Sequence, residues 1–328
     1  MEFRWADRKV LVTGGCGFIG SHLVEALLAE GCLVVVLGRY NSRGDRGFLA
    51  GVEDPRLDLR LGDITDQRFV RELAAGVDTV FHLAALIGIP YSYHAPSQYV
   101  ATNIGGTLAV LEAARDAGVR RVVHTSTSET YGSAQYIPID EKHPTVGQSP
   151  YAATKIAADK LAESYFLSFG VPVVTLRPFN TYGPRQSLRA VIPSMMVQAL
   201  FSEEIVVGAL EPIRDMNYVE DTVRGFLGVA AAPGVEGGAF NIGSGVGHSI
   251  GEILDCVREV TGADKPVRQA AERIRPPASE VTELVCDYSK AAAAFGYAPA
   301  WTLRAGVERL RDYVAAHPPA YSPALYRV

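Results

Sequence analysis

The chain has 328 residues, 48% of them hydrophobic and 20% charged. That composition supports a large core and, at roughly 150 residues per domain, about two domains; it excludes disorder over most of the length. The net charge of −5 argues against a general nucleic-acid binder.

The 31 basic residues divide into 25 Arg and 6 Lys. Codon bias explains most of that imbalance, but Arg is also the residue that grips oxyanions with two parallel hydrogen bonds. Cys16, Cys32, Cys256 and Cys286 form no CxxC pair, and the seven histidines include no HExxH. Neither a disulfide framework nor a metal site is expected. No apolar run approaches the roughly 18 residues of a membrane span. The charged start, residues 1–9, lacks a signal-peptide core. A cytoplasmic protein with no membrane or nucleic-acid partner is the expectation.

In chain order, Lys9–Thr13 reads as a buried strand and Phe18–Glu30 as a helix stopped by Gly31. Strands are predicted at Cys32–Leu37, Leu57–Leu61, Thr79–His82, Arg121–His124 and Pro172–Leu176, and long helices at Ser97–Ala117 and Tyr151–Phe169. Continuous apolar strands alternating with helices predict an α/β fold: a Rossmann-type, doubly wound parallel sheet covered on both faces. After Arg177 the rhythm changes. Helices are predicted at Ala190–Phe201, Ile250–Thr261 and Leu303–Ala316, while Asn217–Val229 and Ala239–Ile242 read as sheet-associated. The expected organisation is a dinucleotide-binding domain over 1–178, to which 217–242 returns. A smaller, discontinuous substrate domain takes 179–216 and 243–328. The tail from Pro318 reads as a surface extension.

Glycines 14, 17 and 20 fall between the first strand and the first helix. Such a turn lets a pyrophosphate approach the backbone at the helix N-terminus, with Phe18 and Ile19 opening the helix. The spacing is GxxGxxG rather than GxGxxG. At the end of the second strand, a carboxylate would bind a ribose 2′-hydroxyl and repel a 2′-phosphate. Gly38 occupies that position, followed by Arg39, with Asn41, Ser42 and Arg43 close by, so no carboxylate stands there. NADP is therefore favoured over NAD, with both retained. Asp63 and Ile64 are candidates for the adenine.

Tyr151 and Lys155 form a Tyr-x-x-x-Lys pair on one helix face. A neighbouring ammonium is expected to lower the tyrosine pKa, so that the phenol can take a hydroxyl proton while hydride leaves the same carbon. Thr127, Ser128 and Glu129 follow the fifth strand, at the carboxyl edge where ligands of open parallel sheets bind. Thr127 can hydrogen-bond a substrate hydroxyl. Glu129 adds a carboxylate able to remove the proton beside a newly formed ketone.

These features resemble the extended short-chain dehydrogenases/reductases that act on nucleotide sugars. The likeness runs through the glycine loop, Phe81–Ala85, Asn103–Thr107, Tyr151 and Lys155, Arg177–Pro184 and Arg214–Asp221. Within that family, Thr127-Ser128-Glu129, Arg39–Ser42, Ala84–His94 and Gly183–Pro193 are similar to the UDP-N-acetylglucosamine 4,6-dehydratases of the legionaminic-acid type.

The resemblance implies an internal redox cycle: C4 oxidation, loss of water across C5 and C6, and return of hydride to C6. Tyr151 would be the C4 base, and Glu129 would serve as both base and acid, because Ser128 stands where related enzymes carry an aspartate. It also implies cofactor contacts from Leu83, Ala84, Ala85, Asn103, Tyr151 and Lys155. Substrate contacts would come from Ile87, Thr127, Asn180, Arg185, Arg214, Arg275 and Glu280. A homodimer through the two long helices is implied as well. A nucleotide-sugar C4 epimerase (hexose or heptose) and a UDP-glucuronate decarboxylase remain as alternatives.

Overall fold

The computed structural model describes residues 3–270 and 281–318. Arg275, Glu280 and the tail beyond residue 318 lie outside the described residues. The strands are β1 (Lys9–Thr13), β2 (Leu33–Arg39), β3 (Leu57–Gly62), β4 (Thr79–His82), β5 (Arg121–Thr125), β6 (Val173–Pro178), β7 (Asn180–Tyr182), β8 (Ile205–Val207), β9 (Ile213–Tyr218), β10 (Ala239–Ile242), β11 (Gly247–Ser249), β12 (Val267–Gln269) and β13 (Glu283–Leu284). The helices are α1 (Phe18–Ala29), α2 (Gln67–Ala74), α3 (Ile89–His94), α4 (Pro96–Tyr99), α5 (Gly106–Ala117), α6 (Pro150–Phe169), α7 (Val191–Phe201), α8 (Val219–Ala231), α9 (Ile250–Thr261), α10 (Ser289–Phe295) and α11 (Leu303–Ala316).

Seven parallel strands form one sheet in the order β10-β6-β5-β4-β1-β2-β3. This is a Rossmann-type doubly wound sheet, and its order reverses between β1 and β4, which opens a crevice at their carboxyl ends. Period-two alternation divides the core. Val10, Val12, Val34, Val36, Val123 and Val174 point to one face and pack with Leu23, Leu27, Phe226 and Val229 of α1 and α8. Leu11, Val35, Val80, Val122 and Val173 point to the other, with Val70, Val110, Leu111 and Ala162 of α2, α5 and α6. Strands buried on both faces read as unbroken apolar runs, which is why they were visible in the sequence.

A separate core gathers α7, α9 and α11 against β8 and β9, with Met196, Ile253, Val257 and Leu310 at its centre. Phe18 and Ile19 of α1 also touch it, so the glycine turn abuts that second core. Several helix ends carry the expected chemistry. Ser149 caps α6 ahead of Pro150, and left-handed Gly118 and Gly170 close α5 and α6.

Two expectations change. Asn217–Val229 is not sheet-associated throughout: β9 ends at Tyr218 and α8 begins at Val219. Glu220 and Asp221 in its first turn complement the helix dipole. The predicted 97–117 helix consists of α4, a π-helical turn over Val100–Gly105, and α5. The wider turn places Asn103 inward, where its side chain has work beyond the helix.

Candidate active site

The crevice is built from the carboxyl ends of β1, β4 and β5. At the β1–α1 turn, Gly14 has φ +74°, and a Cβ there would stand 2.8 Å from the Ala84 nitrogen. A Cβ on Gly20 would meet the Gly14 carbonyl at 2.3 Å. Only glycine lets this turn close against β4 and α1. Gly17 precedes α1 without any side-chain cap, so the first helical amides have no protein partner of that kind. Such amides suit a pyrophosphate. Phe18, Ile19 and Gly20 follow in the first turn.

The neighbouring loops are firmly tied. Thr13 Oγ1 bonds His82 Nδ1 at 2.8 Å and accepts from the Ala84 amide at 3.2 Å. Leu83, Ala84 and Ala85 thus run past the glycine turn. Asn103 accepts from the Leu86 amide (2.8 Å), donates to the Leu86 carbonyl (3.0 Å) and donates to Thr154 Oγ1 (3.1 Å). It fixes the 83–86 segment to α6. Ile87, just beyond, is exposed.

Arg39 ends β2 and is exposed. Asn41 turns its amide inward to its own loop, accepting from the Arg43 and Asp45 amides, while Ser42 is exposed. Asp63 accepts from the backbone and hydroxyl of Thr65, which together with the nearby Arg39 charge hold its carboxyl below the usual range. Ile64 is buried beneath the Gly106 end of α5.

Thr127 is extended and caps the short 3-10 turn Ser128–Tyr131, accepting from the Glu129 amide at 3.3 Å. The Tyr151 phenol lies within electrostatic reach of the Thr127 hydroxyl and of the Glu129 carboxylate. Glu129 is half-buried and Ser128 buried. Four of the predicted catalytic residues, Thr127, Glu129, Tyr151 and Lys155, therefore gather at the end of β5.

The expected activation of Tyr151 is not what the geometry delivers. The Lys155 ammonium donates to the Thr125 carbonyl at 2.6 Å. Burial pushes the Tyr151 phenol well above its usual range, and the Glu129 charge adds to that; the nearby Thr127 hydroxyl opposes it only in part. Burial also pushes Lys155 down, to about 8. Desolvation of the two buried groups outweighs the neighbouring charge that the Tyr-x-x-x-Lys spacing supplies.

On the facing side, Asn180 on β7 has a buried side-chain nitrogen without a hydrogen-bond partner. A buried donor left unmade costs about 1–3 kcal/mol, so it marks a position prepared for an acceptor. Arg214 on β9 is buried and donates to the Ile213 carbonyl at 2.9 Å. Arg185 departs from its expected role as a phosphate grip. With φ +71° it turns to α1 and forms a two-armed ion pair with Glu25 (2.8 and 3.0 Å) plus a bond to Ser21 Oγ. The fork that suits a diphosphate suits this carboxylate equally well.

Beneath the site lies a polar cluster that motif reading missed. Asp159 accepts from Ser126 Oγ (2.8 Å) and from Arg177 (3.1 Å), and it pairs with His124 Nε2 (3.0 Å). Its signal in the sequence was its place four residues after Lys155, on the same helix face.

A Rossmann-type sheet with a glycine turn at the crevice and a Thr, Glu, Tyr and Lys cluster at β5 defines an enzyme of the short-chain dehydrogenase/reductase class. Residues 11–310 match the family described as GDP-mannose 4,6 dehydratase. The chain is 36% identical to a UDP-glucose 4-epimerase of Streptomyces lividans over 95% of this chain and 98% of that one. It is 35% identical to a dTDP-glucose 4,6-dehydratase of an Actinoplanes species, covering 89% and 92%. It superposes with TM-score 0.89 and 33% identity on the dTDP-glucose 4,6-dehydratase of Streptomyces venezuelae, a structure with NAD and TYD bound, covering 96% and 99%. The chain belongs to the extended short-chain dehydrogenase/reductase family of nucleotide-sugar epimerases and dehydratases.

Proposed function

We propose that this enzyme is a nucleotide-hexose 4,6-dehydratase, with UDP-N-acetylglucosamine the first substrate to test. The observation that carries this reading is the half-buried Glu129 carboxylate in the turn after β5, beside Thr127 and within electrostatic reach of the Tyr151 phenol. C4 epimerisation needs no base at C5, whereas elimination of water across C5 and C6 does. The specific sugar rests on the resemblance of residues 39–42, 84–94 and 183–193 to the legionaminic-acid type.

The glycine turn and uncapped α1 fit a dinucleotide pyrophosphate. When bound, a nicotinamide accepts and returns the hydride. Tyr151, as phenolate, takes the C4 hydroxyl proton, and Thr127 holds that hydroxyl. Glu129 removes the C5 proton, made acidic by the C4 ketone, and delivers a proton to the leaving C6 hydroxyl. Ser128, buried, has no carboxyl to share that task. Lys155 holds the nicotinamide ribose. Asn180 and Arg214 receive the substrate diphosphate, and Arg275 joins them. The family resemblance assigns Ile87 and Glu280 to the same substrate, Glu280 to its ribose. NADP is the preferred dinucleotide because Arg39, not a carboxylate, ends β2; a larger thermal shift with NAD than with NADP overturns that preference. We read residues 1–178 with 217–242 as the cofactor half, 179–216 and 243–328 as the substrate half, and the 97–117 and 151–169 helices as a homodimer contact. A cytoplasmic setting suits such a substrate.

The test is turnover of UDP-N-acetylglucosamine and related nucleotide hexoses in deuterated water. The expected product has lost one water and carries deuterium at C5. A product of unchanged mass without C5 label makes the enzyme an epimerase, and carbon dioxide from UDP-glucuronate makes it a decarboxylase. The epimerase reading has its own support in the 36% identity to a UDP-glucose 4-epimerase.

A further inference from the structure

We propose that Asp159 is a positioning residue for the lysine of the active site: it pins the helix that carries Lys155 to strands β5 and β6, and sets a carboxylate against the Lys155 ammonium from behind. The inference rests on the proposed catalytic pair only for its kinetic consequence.

The geometry is a three-way clamp. Asp159 lies one helical turn beyond Lys155 on α6, so both project from the same face. One carboxylate oxygen pairs with His124 Nε2 of β5 at 3.0 Å. The other accepts from Ser126 Oγ at 2.8 Å, just past β5, and from Arg177 Nη2 of β6 at 3.1 Å. Arg177 is steadied in turn by the Tyr131 hydroxyl at 3.0 Å, and that hydroxyl bonds Asn241 of β10 at 2.7 Å. The clamp therefore reaches from the 3-10 turn bearing Glu129 to the far edge of the sheet. Asp159, Arg177, His124 and Tyr131 are titratable, Ser126 and Asn241 are neutral hydrogen-bonding groups, and all six are buried.

The charges around Lys155 can be taken element by element. On its own helix are Tyr151, whose phenol burial keeps protonated, and Asp159. From β4 comes His82 and from β5 His124; burial lowers both, so neither carries charge at neutral pH. Arg177 of β6 is cationic and faces Asp159 rather than Lys155. Glu129, in the turn after β5, acts on the Tyr151 phenol and is not among the charges that act on Lys155. Among the described residues, Asp159 is the group whose charge supports a protonated Lys155 against its burial. The ammonium needs that support to keep donating to the Thr125 carbonyl, the bond that fixes its place at the end of β5.

A second observation makes the idea testable by more than substitution. A cleft of about 290 Å³ opens on the outer side of this cluster, with Asp159 and Arg177 in its lining together with Glu141, Lys160, Glu163 and Lys290. Because Asp159 lines this cleft, removing its side chain leaves its place open to a small carboxylate such as formate, which is the probe to use.

The chain has six lysines, Lys9, Lys142, Lys155, Lys160, Lys265 and Lys290. Lysine-selective carbon-13 labelling therefore gives few enough signals to titrate individually by NMR, without substrate, with Lys155 assigned by Lys155→Met. In the parent protein Lys155 should titrate at about 8. Asp159→Asn keeps the shape and loses the charge, and should lower that midpoint by about one unit or more. In Asp159→Gly, formate should raise the midpoint towards the parent value, and chloride at equal ionic strength should not. An unchanged midpoint in a folded Asp159→Asn protein overturns the proposal. Should that variant fail to fold, Arg177→Gln serves: it frees the Asp159 charge, the Lys155 midpoint should rise, and no rise likewise overturns it. Because the readout needs no turnover, a failure of the dehydratase reading leaves this result standing.

Discussion

Lys155 should cost the folded protein stability, and the amount can be worked out. The residue is 4% exposed, and burial lowers its pKa from 10.5 to about 8. That depression of roughly 2.5 units corresponds to about 3 kcal/mol of preference for the neutral form, at 1.36 kcal/mol per unit. The group is deeply buried, so solvent screening takes little from that figure. Below pH 8 the folded state carries the buried charge and bears its full cost. Between about pH 8 and 10.5 the unfolded chain binds more protons than the native state, so stability rises with pH across that window. Above it the cost has gone. Lys155→Met removes the charge, fills similar space, and forfeits the bond to the Thr125 carbonyl, worth about 1 kcal/mol. The variant should therefore be more stable than the parent by about 2 kcal/mol at pH 7. The advantage should vanish, and turn slightly negative, above about pH 10.5. Urea denaturation of the cofactor-free protein from pH 6 to 11 measures it. A Lys155→Met protein less stable than the parent at pH 7, or a difference independent of pH, refutes the reasoning.

Other outcomes follow from the same geometry. Glu129→Gln, isosteric on a turn that Thr127 already caps, should lower water elimination by about 10²–10⁴-fold while leaving C4 oxidation visible as reduced-nicotinamide absorbance; full dehydration by that variant removes Glu129 from the chemistry. Asn103→Ala breaks three buried hydrogen bonds and should cost about 2–4 kcal/mol in urea denaturation, because Leu86 and Thr154 lose their partner together. Gly20→Ala places a methyl 2.3 Å from the Gly14 carbonyl, so dinucleotide binding by calorimetry should be lost. Glu25→Gln weakens the Arg185 ion pair and should raise KM for the nucleotide sugar more than it lowers kcat if that pair holds the two sides of the crevice; equal changes in both would place the pair elsewhere in the cycle.

The sequence displayed the sheet because parallel strands buried on both faces are long apolar runs, and it displayed the glycine turn because only glycine tolerates the approach of Gly14 to Ala84. Tyr151, Lys155, Thr127 and Glu129 were legible because their spacing is local: one helix face and one strand end. What was not legible depends on distance across the chain. Arg185 looks like a phosphate grip in isolation; its partner Glu25 lies 160 residues earlier and appears only once α1 meets the loop after β7. The π-helical turn over Val100–Gly105 has no local signature, and its reason, Asn103 reaching Leu86 and Thr154, is tertiary. Asp159 resembles any helix-surface acid until β5 and β6 bring His124, Ser126 and Arg177 to it.

The tyrosine shows why motif chemistry and environment must be weighed together. A Tyr-x-x-x-Lys spacing supplies a cation near a phenol, and near an exposed phenol that would suffice to lower its pKa. Here both groups are buried, and each resists its charged form: the phenol is pushed up and the ammonium down. The pair as it stands holds a neutral tyrosine, with Thr127 and the Glu129 charge in its surroundings. A phenolate at Tyr151 therefore requires positive charge that the protein alone does not place at its oxygen. The crevice between the glycine turn and β5 is where a cationic ring could supply it. Base strength would then arise only in the loaded enzyme, and a titration of Tyr151 by its ultraviolet phenolate band should show a lower midpoint with oxidised dinucleotide bound than without. Equal midpoints in the two states would mean that Tyr151 is activated by some other charge.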